Sequence, residues 1–324
     1  MRSFFIALLA ALLCATAVNA EIRLGIIGTD TSHVIAFTKL LNDPLSPDHV
    51  PGATVVAAYK GGSPDIESSA TRVNGYADEL RTKWKVKFYS DIPTLCKNVD
   101  AVLLESNDGR VHLEQVKPVF AAHKPVFIDK PLASTLADAR EIARLGKESG
   151  TPWFSVSSLR YGDIATQMKF PDTQGVITWG PGPLEPHHQL DLSWYAIHPI
   201  EMLYALMGKG CVEVTRIYTE DADLITGKWN DGRTGTVRAL RPYGAYGAVV
   251  FRTKPKDAKS AGSTIVVQSN PKMLEGYRPM LVEVVKFFET KEPPVPNDET
   301  LEIFAFMDAA QRSKEAGGTP QKLR

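Results

Sequence analysis

Short apolar runs alternate with amphipathic segments along the first half of the chain. Apolar runs rich in Val, Ile and Leu are typical of buried strands, whereas apolar residues that recur every three or four positions indicate helices. The pattern predicts strands at 22–27, 53–59, 86–89, 99–105, 125–129 and 153–157, and helices at 32–41, 111–122 and 136–148. Strands that alternate with helices at this spacing predict a doubly wound parallel sheet of the α/β class.

The helix predicted at 136–148 has a signal at each end. Thr135 and Asp138 have the spacing of a capping box, in which a hydroxyl accepts a hydrogen bond from the backbone N–H three residues later. Gly150 follows the last turn, as glycine commonly does at helix ends.

The pattern changes after about Tyr161. Longer alternating runs predict strands of an antiparallel or mixed sheet at 212–218, 236–240, 248–253 and 263–267, and helices at 197–207, 277–290 and 300–316. A stiff proline-rich connector lies between the last two helices. We therefore predict a first domain at 21–158, a second at 159–296 and a C-terminal helix at 297–324.

The first twenty residues predict a signal peptide. Arg2 precedes an apolar run at 4–18 that ends in Val18-Asn19-Ala20, and this run is too short to span a bilayer comfortably. The expected product begins at Glu21 and is periplasmic or secreted. Because the leader has a single arginine, a twin-arginine route is not expected, and the chain would fold where free dinucleotide is scarce.

Charge and cysteine content narrow the partners. The 324 residues contain 37 basic and 37 acidic side chains, so no net field attracts the chain to nucleic acid or an anionic membrane. A small-molecule partner is expected. Cys96 and Cys211 lie in different halves of the chain, and we expect separate buried thiols more than a disulfide.

The segment GIIGTDTSHV lies after the first predicted strand, where dinucleotide-binding chains carry G-x-G-x-x-G. Gly28 matches the first glycine, but Asp30 replaces the second and His33 the third. An ionised Asp30 would repel a pyrophosphate and prevent the close backbone approach that glycine allows. The usual phosphate cradle is therefore expected to be altered.

The same edge still offers groups for a dinucleotide. Thr29, Thr31 and Ser32 supply hydroxyls at the start of the predicted helix, whose N-terminus attracts anions. The second predicted strand ends without an acidic residue to hold a ribose diol, and Lys60 follows it. If a dinucleotide binds, Lys60 and Ser63 favour NADP over NAD, although a plain β-turn explains this segment equally well.

Several segments, in order, resemble the Gfo/Idh/MocA oxidoreductases over nearly the whole mature chain. These segments are LGIIG, VDAVLLES, IDKPLA, SSLRYG, IHPIEMLYALMG and DETLEIFAFMDAAQRSKEAGG. The resemblance implies a Rossmann domain joined to a second α/β domain, whose open, mostly antiparallel sheet faces the substrate and often packs against a partner subunit. It also implies NAD(P)-linked chemistry on sugars or polyols, and a last helix that returns to the first domain.

The resemblance assigns roles to residues at the predicted sheet edge. Lys130, alone a plausible surface lysine, corresponds to a lysine that contacts substrate and nicotinamide ribose, and its ammonium would stabilise a developing oxyanion. Asp129 stands where glutamate is more usual. His198 corresponds to the catalytic histidine and would accept the hydroxyl proton near neutral pH. Ser106 and Asn107 complete the predicted cofactor-binding residues.

The chain departs from the family pattern before His198. Trp194 stands where an aspartate is usual, four residues before the histidine, and Asp191 lies seven residues before it. An indole suits stacking against a sugar ring, and Tyr195 would either donate a hydrogen bond or pack. Arg160 would hold hydroxyls or a carboxylate in a fixed fork. We predict Tyr195 as catalytic and Arg160, Asp191, Trp194 and His198 as substrate-binding.

A metal site is a competing interpretation of the same region. Side chains that ligate metals are concentrated at Glu185, His187, His188, Asp191, His198 and Glu201. Such residues at irregular loop spacing are usually only polar, so no metal site is predicted.

Two functions therefore remain open. The first is an exported NAD(P)-linked oxidoreductase of a sugar or polyol. The second is a descendant of the same fold that binds or processes carbohydrate without a nucleotide.

Overall fold

A computed structural model of the protein describes residues 21–253, 264–270 and 276–324. The predicted signal peptide at 1–20 lies outside these residues. Within them, no helix is both long and apolar enough to cross a membrane.

The first domain contains a six-stranded parallel sheet in the order β3-β2-β1-β4-β5-β6. Its strands are β1 Ile22–Ile27, β2 Ala53–Tyr59, β3 Lys87–Tyr89, β4 Ala101–Leu104, β5 Val126–Asp129 and β6 Trp153–Val156. Its helices are α1 His33–Asn42, α2 Glu67–Ala70, α3 Val73–Thr82, α4 Ile92–Cys96, α5 His112–Ala121 and α6 Leu136–Ser149. The strand order reverses between β1 and β4, so the carboxyl ends of these two strands form the crevice where such sheets bind ligands.

The sequence signals around α6 are confirmed. The Thr135 hydroxyl accepts a hydrogen bond from the Asp138 N–H at 2.9 Å, and Gly150 ends the helix in the left-handed region at φ 63°. All six predicted strands of this sheet are present, whereas α2, α3 and α4 were not predicted.

The second domain contains a seven-stranded mixed sheet in the order β12-β11-β7-β10-β9-β8-β13. Its strands are β7 Thr173–Pro181, β8 Cys211–Tyr218, β9 Ala222–Trp229, β10 Thr234–Leu240, β11 Tyr246–Arg252, β12 Thr264–Asn270 and β13 Gln321–Lys322. The helices after β6 are α7 Asp163–Gln167, α8 Ile197–Met207, α9 Tyr277–Thr290 and α10 Asn297–Glu315. The apolar residues of α9 share a core with α1 and the first sheet. Pairing is antiparallel except between β7 and β10.

Three strands of this sheet, β7, β9 and the two-residue β13, were missed from the sequence. In β9, the inward-facing positions include Asp223 and Gly227, which hide the apolar alternation. Asp223 is tolerated there because it is buried against the guanidinium groups of Arg216 and Arg241. In β7, Gly175, Gly180 and a terminal proline weaken the strand pattern.

The long helix α10 packs against both domains. It contacts β8 of the second sheet and also β6 and α6 of the first domain. Together with α8 it covers one face of the second sheet. Cys96 and Cys211 are free and buried, as expected.

Candidate functional site

The turn after β1 keeps the geometry that requires glycine. Gly28 has φ +90°, and a Cβ there would lie 2.5 Å from the Ser106 backbone nitrogen. The Gly28 and Thr29 N–H groups donate to the carbonyls of Tyr59 and Gly61 at 3.0 Å each. The turn after β1 is therefore fixed against the ends of β2 and β4.

Asp30 is turned into the fold. Its buried carboxylate accepts hydrogen bonds from the Asn107 N–H at 3.0 Å and from the Ser69 hydroxyl at 2.6 Å. Burial raises the pKa of Asp30, and these hydrogen bonds offset the rise only in part. The altered cradle thus has a different cause from the one expected: Asp30 links the turns after β1 and β4 instead of presenting a free charge to a phosphate.

The loop after β4 is held in place by a network of hydrogen bonds and ion pairs around the buried Asp108. His188 Nε2 lies 3.0 Å from its carboxylate, the Ser63 hydroxyl donates to it, and Arg110 bridges it to Asp65. Burial alone would raise the pKa of Asp108, but the hydrogen bonds from His188, Arg110 and Ser63 hold it well below its usual range. This end of the crevice is occupied by bonds within the protein.

The other predicted cofactor-binding residues differ in burial and in their hydrogen-bond partners. The Ser106 hydroxyl donates to Gln115, so it is committed within the fold. Thr31 is buried, whereas Ser32 is exposed and its side chain does not cap α1. Lys60 is exposed at the end of β2.

Lys130 and His198 lie near the carboxyl end of β5. Lys130 is buried rather than exposed, and its positive charge contributes to the lowered pKa values of Asp129 and His198 and opposes the raised pKa of Glu105. His198 is held by a 2.7 Å hydrogen bond between its Nδ1 and the Ser157 hydroxyl. Its buried Nε2 has no hydrogen-bond partner in the described part of the chain.

The pKa of His198 is lower than the near-neutral value expected from the sequence. Burial, then the charge of Lys130, lowers the pKa of His198 well below its usual value of 6.5. The imidazole is therefore neutral near pH 7, and its Nε2 is free to act as an acceptor when Nδ1 carries the proton.

Aromatic rings line the side of this pocket. Tyr195 lies edge-on to His198 with ring centroids 5.2 Å apart, and it also contacts the exposed Tyr243 at 5.5 Å. The ring centroids of Tyr246 and His198 are 6.1 Å apart. Trp194 instead packs against His188 at 5.3 Å. Tyrosine rings, more than the predicted indole, are thus placed to contact a ligand at His198.

A buried acidic cluster lies beside Lys130. His33 Nδ1 is 2.6 Å from the Asp129 carboxylate, and Glu105 joins them so that one ligand atom from each residue lies within 4.8 Å of the others. Burial and the charge of Asp129 raise the pKa of Glu105 well above its usual range. Burial works against ionisation of Asp129 too, but His33 and Lys130 outweigh it and lower its pKa. The pKa values of these two neighbouring carboxyl groups are therefore shifted in opposite directions.

Two predicted substrate residues have structural partners instead. Arg160 is paired with Glu201 at 2.8 Å and with Glu299 at 2.7 Å, which joins α8 to α10. Asp191 is paired with Arg216 at 2.6 Å and Lys314 at 2.7 Å. We omit both from the proposed substrate site.

The competing histidine and carboxylate cluster is dispersed. His187 pairs with Glu185, His188 with Asp108, and His198 with Ser157. Across residues 21–253 and 276–324, the side chains that come close enough to hold one ion are those of His33, Glu105 and Asp129.

Sequence reasoning missed four residues of the pocket, namely Glu105, Ser157, Tyr246 and Tyr277. Glu105 carried a usable signal, because a charged residue directly after the apolar run of β4 lies at the ligand-binding edge. Tyr246 and Tyr277 come from distant elements and reach the pocket only through the tertiary fold.

The N-terminus of α1 suits a dinucleotide phosphate, but two side chains prevent the standard close approach. The uncapped N-terminus of α1 and the tight turn at Gly28 suit an anion. Side chains at Asp30 and His33, however, fill positions where glycine permits standard close approach. The residues therefore fit a dinucleotide phosphate at the helix N-terminus in an altered pose.

Comparison with solved structures shows the same fold over almost the whole chain. The structure of a probable dehydrogenase from Thermotoga maritima is 21% identical, covers 93% of this chain and 99% of its own, and has a TM-score of 0.70. The myo-inositol dehydrogenase from Lactobacillus casei, in complex with NAD(H) and myo-inositol, is 19% identical with coverages of 94% and 97% and a TM-score of 0.69. The myo-inositol 2-dehydrogenase from Lactobacillus plantarum is 15% identical with coverages of 94% and 100% and a TM-score of 0.72.

Sequence comparison is more restricted. No curated protein matches the chain. Residues 22–157 match the model of the GFO_IDH_MocA oxidoreductase family, described as an NAD-binding Rossmann fold. The sequence resemblance is thereby confirmed for the first domain, which matches the NAD-binding Rossmann fold of the Gfo/Idh/MocA oxidoreductase family.

Proposed function

We propose that this protein is an NAD(P)-linked oxidoreductase of a sugar, polyol or sugar derivative. The observation that carries the proposal is a buried, neutral His198 whose Nε2 lacks a partner among the described residues and whose pKa is lowered by the charge of the buried Lys130. The pair lies at the carboxyl end of β5, in a first domain from an NAD-binding family. The myo-inositol dehydrogenases of the same fold support a polyhydroxy substrate.

The chain's own groups have distinct roles in this proposal. A substrate hydroxyl lies between Lys130 Nζ and His198 Nε2, so that the ammonium stabilises negative charge on oxygen while the imidazole accepts the proton. The Ser157 hydroxyl orients the His198 ring through Nδ1, and it can accept the Nδ1 proton in the tautomer that leaves Nε2 as the acceptor. Tyr195 and Tyr246 form the aromatic wall for the apolar face of the ring. A bound nicotinamide would take up the hydride.

We also propose that the protein is exported. The apolar leader and Val18-Asn19-Ala20 support cleavage before Glu21. Glu21 is exposed and β1 begins at the next residue, so cleavage there would leave the first sheet intact. Amino-terminal sequencing of exported protein should begin at Glu21, and a retained Met1 would contradict this proposal.

Assembly with a second copy is a further part of the proposal. Ile217 and Leu224 pair across β8 and β9 with exposures of 57% and 40%, on the sheet face opposite α8 and α10. Exposed apolar side chains on a sheet suit a subunit interface. Light scattering should give a mass above one chain, and Leu224→Lys should reduce it.

The second candidate function is carbohydrate binding or processing without a nucleotide. The observation that favours it is the buried Asp30. Its side chain, hydrogen-bonded to Ser69 and Asn107, lies where the second glycine of the standard motif would allow a pyrophosphate to approach the backbone. NADP remains slightly favoured over NAD in the first proposal because Lys60 is exposed at the end of β2.

Turnover of inositols and hexoses with NAD or NADP tests the first candidate. Lys130→Met should lower kcat by roughly 10²–10³-fold, because it removes a charge at the developing oxyanion while keeping a chain of similar length. Lys117→Met, an exposed control on α5, should leave kcat unchanged. Equal losses in the two variants, or turnover retained in Lys130→Met, would overturn the role of Lys130.

A further inference from the structure

The buried cluster of His33, Glu105 and Asp129 has a polar group that the rest of the site does not explain. Glu105 is fully buried, and neither carboxyl oxygen has a hydrogen-bond partner within the described residues. A buried polar group left unpaired costs stability, and a buried ionised one costs more. Such a carboxyl signals a missing ligand.

We propose that His33, Glu105 and Asp129 bind one divalent transition-metal ion, such as zinc, at the carboxyl edge of the first sheet. The site goes beyond the proposed redox function and does not depend on a dinucleotide.

The spacing of the three ligand atoms fits one ion. Zinc binds imidazole nitrogen and carboxylate oxygen at about 2.0–2.2 Å with tetrahedral geometry, so two ligands of one ion lie about 3.3–3.6 Å apart. The candidate atoms lie within 4.8 Å of one another, and His33 Nδ1 and the Asp129 carboxylate lie 2.6 Å apart, so the side chains would move apart around a bound ion.

The three ligands are held by rigid elements rather than by a surface loop. His33 begins α1, Asp129 ends β5, and Glu105 directly follows β4. The His33 ring is stacked on Phe37 and lies edge-on to Tyr277, each with centroids 5.1 Å apart. This packing limits its rotation and orients its nitrogen toward Asp129.

The donor set selects the class of metal. One imidazole and two carboxylates suit zinc or manganese better than magnesium or calcium, which prefer oxygen ligands alone. Two carboxylates also balance the charge of the ion beside the Lys130 ammonium. Three protein ligands leave positions for water or a substrate hydroxyl, in the pocket that also contains His198.

Equilibrium dialysis against zinc, followed by elemental analysis, tests the proposal on the full mature chain. Wild type should retain close to one zinc per chain and gain thermal stability. Glu105→Gln, which keeps the shape of the side chain, should bind zinc at least tenfold more weakly. Glu302→Gln, which changes a half-buried carboxylate that accepts from the Gly210 and Cys211 N–H groups, should retain zinc.

His33→Asn serves as a second ligand variant, and circular dichroism checks that every variant is folded. Wild type that retains far less than one zinc per chain, or equal retention by wild type and Glu105→Gln, would overturn the site. A buried water would then be the partner of Glu105. Neither result depends on dinucleotide binding, so the metal site and the redox proposal fail separately.

Discussion

The two ends of the crevice at the carboxyl edge differ in how their polar groups are paired. At the turn after β1, Asp30 is paired with Ser69 and Asn107. Near the ends of β4 and β5, Glu105 and His198 keep atoms without a hydrogen-bond partner in the described chain. Buried polar groups are normally paired, and exceptions concentrate where a ligand binds. The difference supports the proposed ligand site near Glu105 and His198, whereas the polar groups at the turn after β1 are paired within the protein.

The largest expected effect of a substitution lies at the reacting end. His198→Gln should lower kcat by roughly 10²–10⁴-fold, because it removes the group that accepts the hydroxyl proton. Steady-state turnover checks this, with the exposed His187→Gln as control. If His198→Gln lost its fold instead of its turnover, the two ends would not differ as described.

A substitution in the paired networks should affect stability instead. Asp191→Asn leaves Arg216 without its full buried partner and should cost about 3 kcal/mol of unfolding free energy, with KM unchanged. Urea unfolding measures the loss, and the exposed Asp48→Asn is the control. A raised KM without loss of stability would restore Asp191 as a substrate contact.

The smallest effect concerns pH and the fully buried His112. Its nitrogens face the carbonyls of Ser106 and Leu132, and burial lowers its pKa below 6.5. Since the folded pKa is depressed, its stability contribution is present above pH 6.5 and is lost as the pH falls below it.

Unfolding free energies at pH 7.5 and 5.5 measure this dependence. Wild type should lose up to about 1.4 kcal/mol per pH unit from His112, with a contribution of the same sign from His198. His112→Gln should have a shallower slope, whereas His187→Gln should match wild type. An unchanged slope in His112→Gln would contradict the assignment.

The sequence predicted the first domain well because each of its strands is a local apolar run. The sheet edge followed from this, since Lys130 and Asp129 end a strand and His198 begins a helix. The partners of Arg160 and Asp191 could not be predicted, because Glu299, Arg216 and Lys314 come from distant segments. The burial of Asp30 was missed for the same reason, since Ser69 lies 39 residues away.

Calorimetric titration of the wild-type chain with NADP and with NAD tests the central claim most directly. The account predicts saturable binding of both, tighter for NADP, and binding that Asp30→Gly leaves unchanged or weakens because Asp30 holds the turn in place. If the Asp30 carboxylate instead repelled the pyrophosphate at about 4 Å, the repulsion would cost up to about 4 kcal/mol before screening. Its removal in Asp30→Gly would then give a measurable gain in affinity. No binding by folded wild type, with binding gained in Asp30→Gly, would contradict the oxidoreductase account and favour a family member that no longer uses the nucleotide.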